Sequence, residues 1–428
     1  MTYINISMRN QDRFSNENNT NFEPYSKPLK NRNYSLDSIC WPLYPFTLWM
    51  IIILSSCSNR KSDLQFQDVY TLDKEVIDIS ASEIFESFQI IPLETKEIIG
   101  EINNLIVTEN HLVILDNAKT KSIFLHAIDG SQLGVIHPLG EGPGEYLFPA
   151  SIAYSEQEES ILVYCSLLGK IINYDLNGEF LGEYFLSGES VSDLIVFKGN
   201  LYMTLKDGEG RNILGILNYK DGREMEKIPL PNNGFKVSGI KPQYIYKSHN
   251  EESFYFKDIY SNSLSEVNMT GEIIGQKTFD LNKDYITDWK GRSLRFDEII
   301  PEIQARGYIV ITDEFIDSEG YFLINTEEGK GSGGMLLVDK ETYSAKPVRN
   351  IINDMDGLYS YTSILGNSTN PGYFIVSMEP SIINLRLDQM EVGLSPYLQK
   401  LRSAGLQNDD NPVLIIYKMK TSIESLEK

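Results

Sequence analysis

Apolar residues along this chain come in short, closely punctuated runs. HLVILD (111–116), ILVYCS (161–166), LYMTLK (201–206), SFYFKD (253–258), YFLINT (321–326) and YFIVSM (373–378) are rich in β-branched and aromatic side chains and bounded by Gly, Asn, Asp or Ser. Such runs predict strands. Behind five of them, after a short polar loop, comes a second run: SIFLHA (122–127), KIINYD (170–175), ILGILN (213–218), LSEVNM (264–269) and GMLLVD (334–339). Turn residues then recur in register. Asp129-Gly130, Asn177-Gly178 and Asp221-Gly222 are strong hairpin signals, because Asn, Asp and Gly tolerate positive φ. Thr270-Gly271 and Glu341-Thr342 are weaker versions, and a further strand follows each turn.

The glycines at 130, 178, 222 and 271 are spaced 48, 44 and 49 residues apart. Strand, loop, strand, tight turn, strand at this period predicts a radially repeated meander, a β-propeller of four-stranded antiparallel blades. The region 83–420, without two stretches that look inserted (282–309 and 388–410), leaves roughly 48 residues for each of six blades, matching the turn spacing. Closure is expected from the ends. VLIIYK (413–418) lacks an outer neighbour, and FQIIPL (88–93) supplies one, so N- and C-terminal strands share a blade and the ring has no free edge.

Small helical insertions complete the architecture. In 282–309, Leu294, Ile299, Ile300 and Ile303 form a helical stripe broken by Pro301, giving one kinked or two short helices. Ser395-Pro396 opens a second insertion with Pro at the first helical position, and Gly405 ends it. These helices either cap one face of the ring or form a lid over its centre.

The first forty residues are polar and aperiodic. Residues 41–54 then read WPLYPFTLWMIIIL, uncharged, behind Lys27, Lys30 and Arg32. A span of this length is short for a membrane helix and fits a signal-peptide core. Leu54-Ser55-Ser56-Cys57 matches a bacterial lipobox, in which the cysteine thiol accepts the lipid. The expected organisation is therefore a signal peptide over 1–56, a lipidated Cys57 with a flexible tether over 57–82, the propeller over 83–420 and a tail over 421–428. The leader is over-long, which places the true start near 27–40. No Asp follows Cys57, which favours the outer membrane, and Ser58-Asn59-Arg60-Lys61-Ser62-Asp63 lacks an acidic export cluster, which favours its periplasmic side.

Composition sharpens this reading. With 38 Lys+Arg against 60 Asp+Glu, the net charge is −22, so a nucleic-acid partner is excluded by repulsion. Once Cys57 is lipidated and the leader removed, Cys165 stands alone, with no disulfide partner and in a strand-interior setting where Cys acts as a small hydrophobe. A monomer is expected.

The most distinctive string is Gly140-Glu141-Gly142-Pro143-Gly144-Glu145-Tyr146. It is no phosphate loop, since no Gly-Lys-Ser/Thr follows and two carboxylates would repel phosphate. It is either a structural crossing between the first two blades or a loop presenting Glu141, Glu145 and Tyr146 to a ligand. No metal is assigned. Asn353-Asp354-Met355-Asp356-Gly357 and Asp175-Leu176-Asn177-Gly178 carry fragments of a calcium rhythm without the closing Glu, which leaves Ca²⁺ possible. The histidines 111, 126, 137 and 249 show no zinc spacing. No nucleophile elbow occurs, and pairs such as Asp313/Glu314 or Asp284/Asp288 read as solvated surface.

With FQIIPLE (88–94), the hairpin at Asp129-Gly130, the glycine-rich string 140–146 and the closing Asn411-Pro412-Val413-Leu414, the chain resembles the six-bladed β-propeller lipoproteins of Bacteroidetes, related in shape to NHL-like and TolB-like propellers. The resemblance implies fold and export and carries no catalytic residue. The expected function is a non-catalytic outer-membrane module binding a protein or glycan. The alternative is a lactonase-like or glycan-processing hydrolase using channel-facing carboxylates with Ca²⁺.

Overall fold

A computed structural model describes residues 67–186, 190–219, 225–238, 243–281, 285–328, 334–358, 371–389 and 395–423, apart from the Asp313 side chain. All of them belong to one compact unit, Ser62–Lys428. Cys57, the leader, Asp221-Gly222, Asp284 and the last residues of the tail lie outside the described residues.

The punctuated runs are strands, and each set pairs antiparallel in sequence order. The first sheet comprises Asn104–Val107, His111–Asp116, Ser122–Ala127 and Gln132–Ile136. The second comprises Pro149–Ser155, Ser160–Cys165, Lys170–Asp175 and Phe180–Phe185. The third comprises Val191–Phe197, Asn200–Lys206, Asn212–Leu217 and Glu226–Pro229. A fourth set runs Ile245–Lys247, Ser253–Phe256, Ser263–Asn268 and Ile273–Asp280. A fifth runs Ile309–Asp317, Tyr321–Glu328, Gly334–Asp339 and Ser344–Ile352.

The turns explain why the repeat holds its register. Asp175 is the true organiser of its hairpin: its carboxylate accepts from the amides of Asn177 and Glu179, both at 2.8 Å, while Gly178 takes φ +84°. Asn268 does the same for Thr270 and Glu272, with Gly271 at +79°. DLNGE and NMTGE are thus one capped turn written twice.

Apolar clusters lie between consecutive sheets. Along Ser160–Cys165, Ile161, Val163 and Cys165 face the first sheet, while Leu162 and Tyr164 face the third. Strands buried on both faces need continuous rather than alternating hydrophobicity, which is what the sequence shows. Ile375, Leu414 and Ile416 of the last sheet share a cluster with Leu105, Leu112 and Phe124 of the first.

Among the described residues the last sheet has three strands: Tyr373–Met378 pairs with Val413–Met419, which pairs with Phe85–Pro92. Residues 359–370, just ahead of Tyr373, lie outside the described residues. The register sets Val413 opposite Pro92, Tyr417 opposite Phe88 and Met419 opposite Phe85. An early strand, Phe85–Pro92, and the last strand, Val413–Met419, therefore meet in one sheet.

The flexible tether expected over 57–82 is corrected from residue 67 onward. Gln67–Leu72 is a strand lying parallel to the outer strands of both the fourth and fifth sets, and it joins them into a ten-stranded sheet. Ile77–Ser80 adds parallel to Ser344–Ile352, and a one-turn helix, α1 (Ala81–Ile84), follows. The physical reason is edge protection: the added strand pairs polar backbone groups that two outer strands would otherwise leave open. Tyr70 anchors it, 2% exposed and stacked on Phe279 with ring centroids 5.3 Å apart.

The first insertion resolves into two short helices, α2 (Tyr285–Trp289) and α3 (Phe296–Arg306), the second containing Pro301. Two more helices, α4 (Pro380–Gln389) and α5 (Pro396–Ala404), stand between the strands of the last sheet. α5 is capped as its sequence implies: Ser395 Oγ accepts from the Leu398 amide at 3.3 Å, and Gly405 ends it at φ +67°.

Candidate functional site

The glycine-rich crossing after the first sheet holds itself closed. Glu145 folds back so that its carboxylate accepts from the Gly142 amide at 2.8 Å, and Gly140 leaves no room for a Cβ beside that carboxylate. Tyr146 is fully buried, and its hydroxyl donates to the carbonyls of Ile136 at 2.7 Å and Lys121 at 3.0 Å. Burial pushes the Tyr146 phenol well above its ordinary value. Tyr146 is thus a packing anchor between the first two sheets rather than a ligand-facing ring. The presenting-loop reading is corrected for Tyr146 and Glu145, whose polar atoms hold the loop. Glu141 alone of the three lies exposed.

The second sheet clamps the same loop. Lys170, 1% exposed, donates to the Gly142 carbonyl at 2.9 Å and to Glu183 at 2.8 Å. The Gly144 amide also reaches Glu183, and the Tyr174 hydroxyl donates to the Gly144 carbonyl at 2.6 Å. Glu183 lies on the outer strand Phe180–Phe185, so this buried pair ties loop, third strand and rim together.

Other carboxylates, Asp116, Asp193 and Asp356 buried and Asp354 exposed, work in the same manner. Asp116 accepts from the amides of Gly100, Glu101 and Lys119. Asp193 accepts from Tyr244 and Ile245, linking the first strands of the third and fourth sheets. In the Asn353–Gly357 turn with the calcium rhythm, Asp356 accepts from the Leu358 amide and the Tyr417 hydroxyl, while Asp354 accepts from the Ser82 amide. These oxygens are bonded within the fold. Among the described residues, no three His, Cys, Asp or Glu side chains are placed around one metal position.

A recess of about 380 Å³ opens beside that turn, lined by Asn350, Ile352, Asn353 and Arg386 among others. Cys165 is buried and free. His126 is buried between the last and first sheets, and burial lowers its pKa from the ordinary 6.5.

Sequence reasoning missed two features. The outer strand of the second sheet carries Phe180, Leu181 and Phe185 at 43%, 55% and 71% exposure. The signal was present in FLGEYF, where three large apolar side chains occupy the final strand of the sheet, paired on one edge only. The second lies in the fifth set. There the pairing jumps from Ile311 opposite Thr326 to Phe315 opposite Ile324, so Thr312, Asp313 and Glu314 bulge against Asn325. Within this bulge Asn325 Nδ2 donates to Glu314.

Repeated meanders, two-sided apolar strands and shared clusters between consecutive sheets define a β-propeller-like protein. The chain belongs to the family described as domain of unknown function DUF4934, whose model matches residues 67–418. A Bacteroides fragilis protein described as exported is similar in fold, with 16% identity, a TM-score of 0.58, and coverage of 83% of this chain and 99% of that one. A member of the DUF4221 family from Bacteroides vulgatus matches at 11% identity and a TM-score of 0.46, covering 78% and 97%. A virginiamycin B lyase of Staphylococcus aureus matches at 14% identity and a TM-score of 0.37, covering 61% and 73%. The last two likenesses are too loose to carry an argument. No curated protein matches.

Proposed function

We propose that this chain is a closed six-bladed propeller, tethered by lipid on Cys57 to the periplasmic side of the outer membrane, and that it acts as a non-catalytic module gripping a protein partner. Pairing of Phe85–Pro92 with Val413–Met419 and the apolar cluster shared by the last and first sheets support the closed ring. The fold likeness to a Bacteroides fragilis protein described as exported supports an envelope location. Gln67 lies ten chain steps beyond Cys57, which holds the rim strand within about 35 Å of the anchor.

One observation carries the binding reading. The buried carboxylates Asp116, Asp193 and Asp356 are bonded into turns and loops, whereas the outer strand Phe180–Phe185 exposes two aromatic rings and a leucine beside an open backbone edge. A bare apolar edge suits an extended protein segment, which can pair with the backbone and cover the side chains. A photo-crosslinking residue at Phe185 of the full chain, expressed in its native cells, is expected to trap one envelope protein, with Leu385 as an exposed control. Adducts at neither position, or saturable retention on a glycan array instead, would remove the protein-partner reading. Separately, Cys57→Ser is expected to release the chain from the membrane fraction.

A further inference from the structure

The bulge in the fifth set holds one buried oxygen acceptor that lacks a donor, beside the carboxylate of Glu314. Asn325 is 9% exposed, and its Oδ1 has no hydrogen-bond partner although its Nδ2 is bonded to Glu314. Orienting the amide nitrogen toward a carboxylate leaves the oxygen beside it unpaired, and a buried unpaired acceptor is destabilising unless something occupies it. Glu327 stands two residues along the same strand, hence on the same face as Asn325. It makes no ion pair and no hydrogen bond with the described residues. It pairs in register with Val310, which is fully buried, and loss of water beside this apolar neighbour raises the Glu327 pKa.

Two carboxylates and an amide oxygen on one face, with a local backbone irregularity between them, make an all-oxygen set. Bulges commonly re-aim side chains in this way. We propose that Glu314, Asn325 and Glu327 form a binding site for one hard divalent cation of the calcium type. Such ions take six to eight oxygens in flexible geometry, so carbonyls and water complete a set that three side chains begin. The smaller magnesium ion demands stricter octahedral order and fits this loose set less well. Thr326 Oγ1 is also unpartnered, but it lies on the opposite face of the strand, beside Gly334, and is not part of the set. The inference is independent of what the rim of the second sheet binds.

Calcium titration by calorimetry on the full chain in detergent tests this. One site per chain is expected, weakened about tenfold or more by Asn325→Ala and by Glu327→Gln. Glu272→Gln, an exposed acid on a hairpin of the fourth set, is expected to leave it unchanged. Absence of calcium-dependent heat in the wild-type chain overturns the proposal. So does binding that Asn325→Ala and Glu327→Gln leave intact, which reports diffuse attraction to an acidic surface. Far-ultraviolet circular dichroism on each variant distinguishes lost binding from lost fold, and Glu314→Gln supplies a third variant should either fail to fold.

Discussion

Two stretches of rim in this molecule treat the same problem differently. Between the fourth and fifth sets the outer strands are bridged by Gln67–Leu72, which pairs with both and buries Tyr70 and Leu72. At the second sheet the outer strand Phe180–Phe185 stays bare, with its apolar side chains in solvent. A strand edge is a template for further pairing, and proteins usually blunt it with charge, bulges or cover. The covered rim belongs to stability; the bare rim keeps its capacity to pair, and the proposed contact surface rests on that capacity.

The comparison breaks first if the covering strand is dispensable. Tyr70→Ala removes a buried ring packed against Phe279, Phe322 and Tyr343, and is expected to lower stability by about 3–4 kcal/mol. Urea unfolding of the full chain measures it. A loss under about 1 kcal/mol would show that the strand is an appendage rather than a wedge.

Next in size comes the tie beneath the bare rim. Glu183→Ala leaves the Lys170 ammonium buried with the Gly142 carbonyl as its remaining hydrogen-bond acceptor. Removing one partner of a buried pair typically costs 3–5 kcal/mol, and this retained bond points to about 3. A change near zero, read by the same unfolding experiment, would mean that the outer strand is loosely held and that its exposure reflects fraying.

How much of this was legible beforehand follows from where the information resides. Strands flanked by Gly and Asx turns declared themselves, because a run buried on both faces must be apolar throughout. Gln67–Leu72 did not, since only Tyr70 and Leu72 point inward and a half-buried six-residue strand gives a faint alternation. α4 was missed because Ile382 and Leu385 of its apolar residues face solvent, which blurs the stripe. Asn177-Gly178 pointed to the right turn, and Asp175, two residues ahead of it, supplies the carboxylate that holds it. The string 140–146 stood out because it is constrained, and constraint here serves packing. Glu314 and Asn325 meet only through a bulge, and no spacing along the chain announces that.

A third seam, where the last sheet meets the first, sharpens the contrast through pH. His126 shares this interface with Leu112 and Phe124, and burial lowers its pKa below 6.5; Glu94 opposes that shift and Lys96 adds to it. The unfolded chain then binds more protons than the folded one at pH values between the lowered pKa and 6.5. Stability is fully present above 6.5 and falls as the pH drops through that window. His126→Leu is expected to flatten this part of the pH–stability curve. An unchanged slope would move the acid sensitivity to other groups.

The smallest stability effect is expected where the functional effect is largest. Phe185→Ser takes away a ring that is mostly in solvent, together with its contact to the Lys170 ammonium 5.8 Å from the ring centroid. With the ring mostly in solvent, the cation–π contact contributes about 0.5–1 kcal/mol, and surface truncations otherwise stay near 0.5. Unfolding should therefore shift by less than about 1 kcal/mol, while retention of the crosslinked partner drops sharply. A loss comparable with that of Tyr70→Ala would show Phe185 to be packed in solution, and the bare rim would then be a second covered one.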